Sequence, residues 1–368
     1  MNVLITGAKG FIGKNLVETL NRVNDVRVIQ YDVDHTLIDL NNFLLECDFI
    51  YHLAGANRPV NNSDFYATNR DLVQYIVEFL IKTGRRTPIL ISSSIQATRD
   101  NDYGKSKLAG EQVLENYREK TGSNVFIYRL PNVFGKWCRP NYNSVIATWC
   151  YNIHNDIPIQ INDPNIELQL VYIDDVVNSF VMRLSDKKSD SSYYSPSPIY
   201  RSTLGDIRNS LLKFQDNRSK LFLDDVGSGF ERALYATFMS YLPESNFSYN
   251  VSVNSDPRGH FSELFKTVDK GQISVSVSRP GITRGNHYHN TKNEKFIVIK
   301  GKAVIKLRHI HSHEIIEIAA SDENLCVVDI PVGYTHNISN IGTDDMVLLL
   351  WASELFDKNN PDTYYLEV

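Results

Sequence analysis

The chain has 368 residues, 42% of them hydrophobic and 22% charged, with a net charge of −5 at pH 7. Such a chain has room for two or three domains of about 150 residues each, and its composition excludes a disordered polymer. The acidic balance excludes a basic nucleic-acid footprint, and no apolar run approaches the roughly 20 residues of a membrane span.

The opening Met1-Asn2-Val3-Leu4-Ile5-Thr6-Gly7 lacks the charged start and long apolar core of a secretion signal and runs straight into a buried-strand pattern. Cys47, Cys138, Cys150 and Cys326 form no CxxC pair, so reduced thiols and a cytoplasmic location are expected. Short apolar runs at 2–6, 26–31, 49–53, 88–92 and 124–128 alternate with helical patterns, the first over 10–20. This alternation predicts βαβ units and a doubly wound parallel sheet of Rossmann type. The stretch 185–192 is polar and loop-like, a helix starts at Thr203 with Asp206 as its capping partner, and another over 230–242 ends at Pro243.

From about Phe247 the rhythm changes to short strands near 273–278, 296–299, 303–307, 315–318, 326–330 and 346–351. Turns separate them and no long helix intervenes, which predicts an all-β barrel. The domains are placed at 1–243 and 244–368.

After the first strand comes Gly7-Ala8-Lys9-Gly10-Phe11-Ile12-Gly13. Gly7 permits a tight turn, Gly10 lets backbone approach a pyrophosphate, and Gly13 lets the helix pack closely on the strand. The helix N-terminus offers free N–H groups and a positive dipole end to the phosphates. Asp32 stands at the end of the second strand, where it would bond a ribose 2′-hydroxyl and favour NADH; Lys9 could instead meet a 2′-phosphate.

The spelling TGxxGxxG, followed in order by His52-Leu53-Ala54-Gly55, Asn69, Ile91-Ser92-Ser93-Ser94, Tyr103-Gly104-Lys105-Ser106-Lys107, Arg129-Leu130-Pro131-Asn132 and Val171-Tyr172-Ile173-Asp174-Asp175-Val176, resembles the extended short-chain dehydrogenase/reductase family over about residues 1–243. The resemblance implies that Leu53, Ala54, Gly55, Asn69, Tyr103 and Lys107 lie beside the cofactor, that Asn132 lies on the substrate side, and that Ser94, Tyr103 and Lys107 are catalytic. Tyr103 would exchange the proton at the substrate oxygen, and Lys107, one helical turn on, would supply a positive charge that eases ionisation of the phenol. Ser94 and Tyr103 are only nine residues apart, so Ser93 stands as the alternative serine.

In the second domain His287-Tyr288-His289, Glu294 and, later, His336 are spaced like the two motifs of the cupin family, with Leu325 where the second motif usually starts with glycine. His287 and His289 on one strand would share a face, with Glu294 and His336 joining from neighbouring strands. Three imidazoles and a carboxylate suit a divalent metal, zinc being favoured. Asp256-Pro257-Arg258-Gly259-His260-Phe261 and Ile282-Thr283-Arg284-Gly285-Asn286-His287 also resemble the deoxysugar 3,5-epimerases. By that resemblance Arg258 and Arg284 would hold the nucleotide pyrophosphate, and His287 would be either the base or a metal ligand.

The order of reductase, then epimerase-like cupin, is similar to the bifunctional enzymes of bacterial capsular polysaccharide synthesis. That resemblance implies a UDP-sugar substrate, a UDP-2-acetamido-2,6-dideoxy-4-hexulose. The cupin would epimerise C3 and the reductase would reduce C4 with NADPH, NADH remaining open. The product would be UDP-N-acetyl-6-deoxy-L-talosamine, toward UDP-N-acetyl-L-fucosamine, made by a homodimer that binds neither nucleic acid nor membrane. The alternatives are a sugar-nucleotide 4-epimerase or 4,6-dehydratase, and a non-catalytic sugar-binding regulator. Ile95-Gln96 after Ser94 replaces the acidic pair of the dehydratases, and an intact Tyr103/Lys107 pair disfavours a regulator.

Overall fold

The computed structural model describes residues 1–57, 63–186, 191–359 and 361–368. The chain forms two units, Met1–Leu212 with Val226–Pro243, and Lys213–Asp225 with Glu244–Val368. Lys213–Asp225 goes with the second unit because Leu223 N–H donates to Lys266 O at 2.7 Å and Lys266 N–H to Leu221 O at 2.7 Å. Of the polar stretch 185–192, residues 187–190 lie outside the described residues.

The first unit is built on strands β1 (Asn2–Thr6), β2 (Arg27–Tyr31), β3 (Phe49–His52), β4 (Ile89–Ser94), β5 (Val125–Leu130), β6 (Asn132–Phe134), β7 (Glu167–Tyr172), β8 (Tyr193–Tyr194) and β9 (Tyr200–Thr203). Six of them make a parallel sheet in the order β2-β1-β3-β4-β5-β8. Val3, Leu4, Ile5, Ile50, Leu90 and Ile127 are fully buried in it. These runs do not alternate with polar residues because helices cover both faces. β1 leads to β2 on one side and β3 on the other, so the carboxyl ends of β1 and β3 form the crevice where such sheets take ligands. β6, β7 and β9 form a separate three-stranded sheet that the sequence patterns did not reveal. The helix Leu204–Ser219 starts as expected, Thr203 Oγ1 accepting Asp206 N–H at 3.0 Å.

The second unit comprises β10 (Asn254–Asp256), β11 (Gly259–Lys266), β12 (Gln272–Ser278), β13 (Thr283–Tyr288), β14 (Glu294–Lys300), β15 (Lys302–His309), β16 (Ile315–Ser321), β17 (Val328–Ile330), β18 (Tyr334–Asn340), β19 (Met346–Ala352) and β20 (Tyr364–Tyr365). They form two antiparallel sheets, β10-β11-β12-β19-β14-β17 and β16-β15-β18-β13-β20. Phe296, Val298 and Leu348 of the first sheet pack with Ile305, Leu307 and Ile338 of the second. Alternation is clean in β15, where Ala303, Ile305 and Leu307 are buried and the residues between them are less so, as expected for a sheet with one face toward the core.

Candidate functional site

The glycine loop is set by backbone geometry. Gly7 sits at φ +71°, and a Cβ there would stand 2.7 Å from Ala54 N; a Cβ on Gly13 would stand 2.2 Å from Gly7 O. Only glycine fits at either point. The helix Phe11–Leu20 begins after Gly10 with no side-chain cap and no acidic residue in its first turn, so its first N–H groups and dipole end are available to an anion. Phe11 and Ile12 form that first turn. Leu53 N–H donates to Thr6 O at 3.1 Å and Ala54 N–H to Thr6 Oγ1 at 3.4 Å, which fastens the end of β3 beside the loop.

The Asp32 carboxylate and the Lys9 ammonium take different partners. Asp32 Oδ2 accepts the Lys9 backbone N–H at 2.7 Å and Oδ1 accepts Val33 N–H at 2.9 Å. Lys9 Nζ is paired with Asp34 at 2.6 Å. The carboxylate thus steadies the loop while its charge remains at the tip of β2. Replacing Asp32 with Asn should move the ratio of specificity constants toward NADPH over NADH about fivefold, since removing one like charge near a 2′-phosphate is worth ~1 kcal/mol in partly solvated surroundings. Steady-state kinetics with both cofactors measures it; an unchanged ratio means that Asp32 points away from the ribose.

Asp102–Thr121 is the helix that carries Tyr103 and Lys107. Asn101 caps it, its Oδ1 accepting Gly104 N–H at 2.8 Å, and Gly122 ends it at φ +70°. Two glycines let it approach closely: a Cβ on Gly104 would lie 2.2 Å from Gln96 O, and one on Gly110 would lie 2.4 Å from Asn69 O. The Tyr103 phenol lies beside Ser94, and Lys107 Nζ lies 6.0 Å from the centre of the Tyr103 ring. Burial raises the Tyr103 phenol, with Ser94 acting against it. Burial also lowers Lys107 to about 8, Glu111 opposing. Successive residues of β4 face opposite ways. Ser93 Oγ accordingly donates to the fully buried Glu111, whose carboxylate also receives Arg129 Nη2 at 2.6 Å.

Asn69 lies in a π-helical turn, Ala67–Asp71, a distortion that often marks functional positions. Its Nδ2 donates to Ala56 O and Ser106 Oγ at 3.1 and 3.0 Å. Its buried Oδ1 has no partner among the described residues. That oxygen and Lys107 Nζ would lie 2.7 and 2.8 Å from a Cβ on Gly55. An unpartnered acceptor, an ammonium and side-chain-free backbone make a cradle with the chemistry of a ribose site, and the loop at Gly7–Gly13 suits its phosphates. Asn132 is exposed, its amide donating to Gln169 O at 3.1 Å. A cavity of about 740 Å³, lined by Lys9, Lys14, Val17, Trp137 and Arg139 among others, lies along the helix 11–20 and does not include Tyr103.

In the second unit His287, His289, Glu294 and His336 place their ligand atoms within 4.8 Å of one another. β13 ends at Tyr288, so His289 lies just past the strand rather than on it. A register shift between Gly285 and His287, with Asn286 at φ +59°, nevertheless leaves the two rings 4.9 Å apart. His336 is the register partner of His287 on β18. Contrary to the expectation of a neighbouring strand, Glu294 comes from β14 of the facing sheet. His289 Nε2 and His336 Nε2 stand 3.3 and 3.2 Å from Glu294 Oε2. All three atoms are buried without a hydrogen-bond partner among the described residues. Burial would raise Glu294, yet His289 and His336 hold it well below the usual carboxylate range, while burial and the neighbouring His336 and His289 lower His287 to about 4. Buried lone pairs aimed at one another are costly unless a cation lies between them. The donor set therefore fits a divalent metal.

Arg258 and Arg284 converge on Asp256, at 2.5 and 3.8 Å. Arg284 Nε also donates to Ser278 Oγ at 3.1 Å. A cavity of about 280 Å³ opens beside the histidine cluster, bounded by Phe261, Glu263, Lys292, Glu354 and Phe356.

Residues 3–194 match the family model described as the NAD dependent epimerase/dehydratase family. The chain belongs to that family. Residues 254–364 of this family member match a second model, the polysaccharide biosynthesis C-terminal domain. Over its whole length the chain is 47% identical to the UDP-2-acetamido-2,6-beta-L-arabino-hexul-4-ose reductase of Pseudomonas aeruginosa, covering 99% of that protein. It is also similar to the crystal structure of the capsular polysaccharide assembling protein CapF from Staphylococcus aureus, with 49% identity, a TM-score of 0.93 and full coverage of both chains. The UDP-glucuronic acid 4-epimerase of Bacillus cereus shares the fold of 66% of the chain, at 18% identity and a TM-score of 0.57 over 96% of that protein. The epimerase/dehydratase assignment makes the chain an enzyme of nicotinamide chemistry. No described helix is long and apolar enough to cross a membrane.

Proposed function

We propose that the chain is a bifunctional sugar-nucleotide enzyme of capsular polysaccharide synthesis. Residues 1–243 reduce the C4 ketone of a UDP-2-acetamido-2,6-dideoxy-4-hexulose with NADPH, and the cupin of 244–368 epimerises C3 beforehand. The product is UDP-N-acetyl-6-deoxy-L-talosamine, on the way to UDP-N-acetyl-L-fucosamine. The observation that carries this reading is the full-length likeness to a UDP-hexulose reductase together with the meeting of Ser94, Tyr103 and Lys107. The resemblance to the capsular enzymes extends it to a cytoplasmic homodimer with zinc in the histidine site.

A nicotinamide cofactor supplies the hydride for C4. Tyr103 delivers the proton to the C4 oxygen, and Ser94 holds that oxygen by a second hydrogen bond. Lys107 stabilises the phenolate left behind, since an ammonium favours the charged form of its neighbour. Asn69 Oδ1 and the Gly55 backbone receive the ribose. In the cupin, His287, His289, Glu294 and His336 would hold a divalent metal, which would supply Lewis acidity at the sugar oxygens. The ketone acidifies the C3 proton, so a proton removed from one face of C3 and returned to the other inverts that centre. Reduction then removes the ketone and traps the result. Arg258 and Arg284 suit the pyrophosphate through their planar forks.

Nuclear magnetic resonance of the product made from enzymatically generated 4-keto-6-deoxy UDP-sugar and NADPH tests the reading. The expected product is the alcohol with C3 inverted. An alcohol with C3 unchanged would remove the epimerase, and absence of NADPH oxidation would remove the reductase.

A further inference from the structure

The last residues of the chain form a strap over the histidine site. β20 adds to the edge of β13, pairing Tyr365 with His287 and Tyr364 with Tyr288. Leu366 N–H donates to Asn286 O at 3.0 Å, and Thr335 Oγ1 donates to Leu366 O. Just before this strand, Asp362 reaches back across 70 to 73 residues of sequence to the turn between two of the metal-ligand positions, His289 and Glu294.

Its bonds there are dense. The carboxylate accepts N–H groups from Asn290, Thr291 and Lys292 at 3.1, 2.9 and 2.9 Å, and the Thr291 hydroxyl at 3.0 Å. The carbonyl of the same residue meets His289 Nδ1 at 2.5 Å. Lys292 Nζ closes the bracket by donating to Pro361 O at 3.0 Å. Asp362 adopts φ +40°, an unfavourable value for a non-glycine residue, which persists only where its surroundings over-determine it.

A carbonyl can only accept, so His289 must carry its proton on Nδ1. Nε2 then presents its lone pair inward, toward Glu294 Oε2 at 3.3 Å. The turn from 290 to 292 sets the distance between His289 and Glu294, and three of its amides end on one carboxylate.

We infer that Asp362 is the positioning residue of the metal centre: its carbonyl sets the tautomer of His289, and its carboxylate holds the turn that spaces His289 from Glu294. This rests on the reading of the four-residue cluster as a metal site. Outer partners of metal-bound histidines typically matter 10- to 100-fold for affinity, and Asp362 serves one ligand directly and a second through the turn.

The test is a cobalt(II) titration of the full-length protein stripped of metal, read by ligand-field absorption and by competition with a chromophoric chelator. Asp362→Gly removes the carboxylate and relieves the backbone strain, while Asp362→Asn keeps an acceptor without the charge. His336→Ala serves as the control for the site itself. Expected are one tight cobalt per wild-type chain, Kd weakened 10- to 100-fold with an altered visible spectrum for Asp362→Gly, and 3- to 10-fold weakening for Asp362→Asn. Loss of cobalt in His336→Ala is expected as well. Asp362→Gly with the wild-type Kd and spectrum would overturn the positioning role and leave the metal site standing, whatever its melting temperature. Should Asp362→Gly fail to fold, Asp362→Asn decides, a Kd within twofold of wild type overturning the role. A wild-type chain that takes up no cobalt would overturn the metal site and this role with it.

Discussion

Phenylalanine in place of Tyr103 should lower hydride transfer by ~10²- to 10⁴-fold while cofactor affinity stays near that of the wild type. The range is that of a lost general acid. The reasoning is local. The hydroxyl beside Ser94 is the group removed. The ring, which packs 5.8 Å from Phe65, is retained, so the fold should lose little. The phosphates would be held by the backbone of Gly7–Gly13 and the ribose beside Asn69, neither of which the substitution touches. Stopped-flow loss of NADPH absorbance in a single turnover, with cofactor binding followed by fluorescence, measures both quantities. Near wild-type turnover would remove Tyr103 from the chemistry.

Alanine at both His289 and His336 should silence one activity and spare the other. The double variant should lose its metal and stop incorporating solvent deuterium at C3 of the keto sugar. NADPH oxidation with a substrate already epimerised at C3 should persist, because Ser94, Tyr103 and Lys107 all belong to the first unit. Some stability should go as well, since a metal that binds only the folded state adds about 4 kcal/mol when present at a thousand times its Kd. Circular dichroism therefore accompanies the exchange measurement. A folded, metal-free variant that still exchanges C3 deuterium at the normal rate would make the metal structural and would put the epimerisation elsewhere.

Local features of these sites were legible in the residues alone. The glycine loop is written in consecutive residues because one turn's dihedral angles and one helix end make the phosphate site. Tyr103 and Lys107 were legible because one helical turn brings them to the same face, and His287, His289 and Glu294 because they fall within eight consecutive residues. By the same token Glu111 could have been found, four residues after Lys107 on that face.

Other features depended on which strands lie side by side and which way they face. The choice between Ser93 and Ser94 turns on the alternation of β4: Ser93 is bonded to Glu111, itself held by Arg129, while Ser94 lies beside Tyr103. Lys9 proved to pair with Asp34, and Asp32 with the loop amide. Glu294 comes from the facing sheet, which no spacing along the chain encodes. Asp362 left no sequence signal at all, because its partners at 289–292 lie some seventy residues earlier. The sequence by itself determined the two fold classes and the residue types at both sites, since dihedral preference and periodicity act over a few residues. Only the tertiary structure decided which donor meets which acceptor, because those meetings depend on sheet register and core packing, which join residues far apart in the chain.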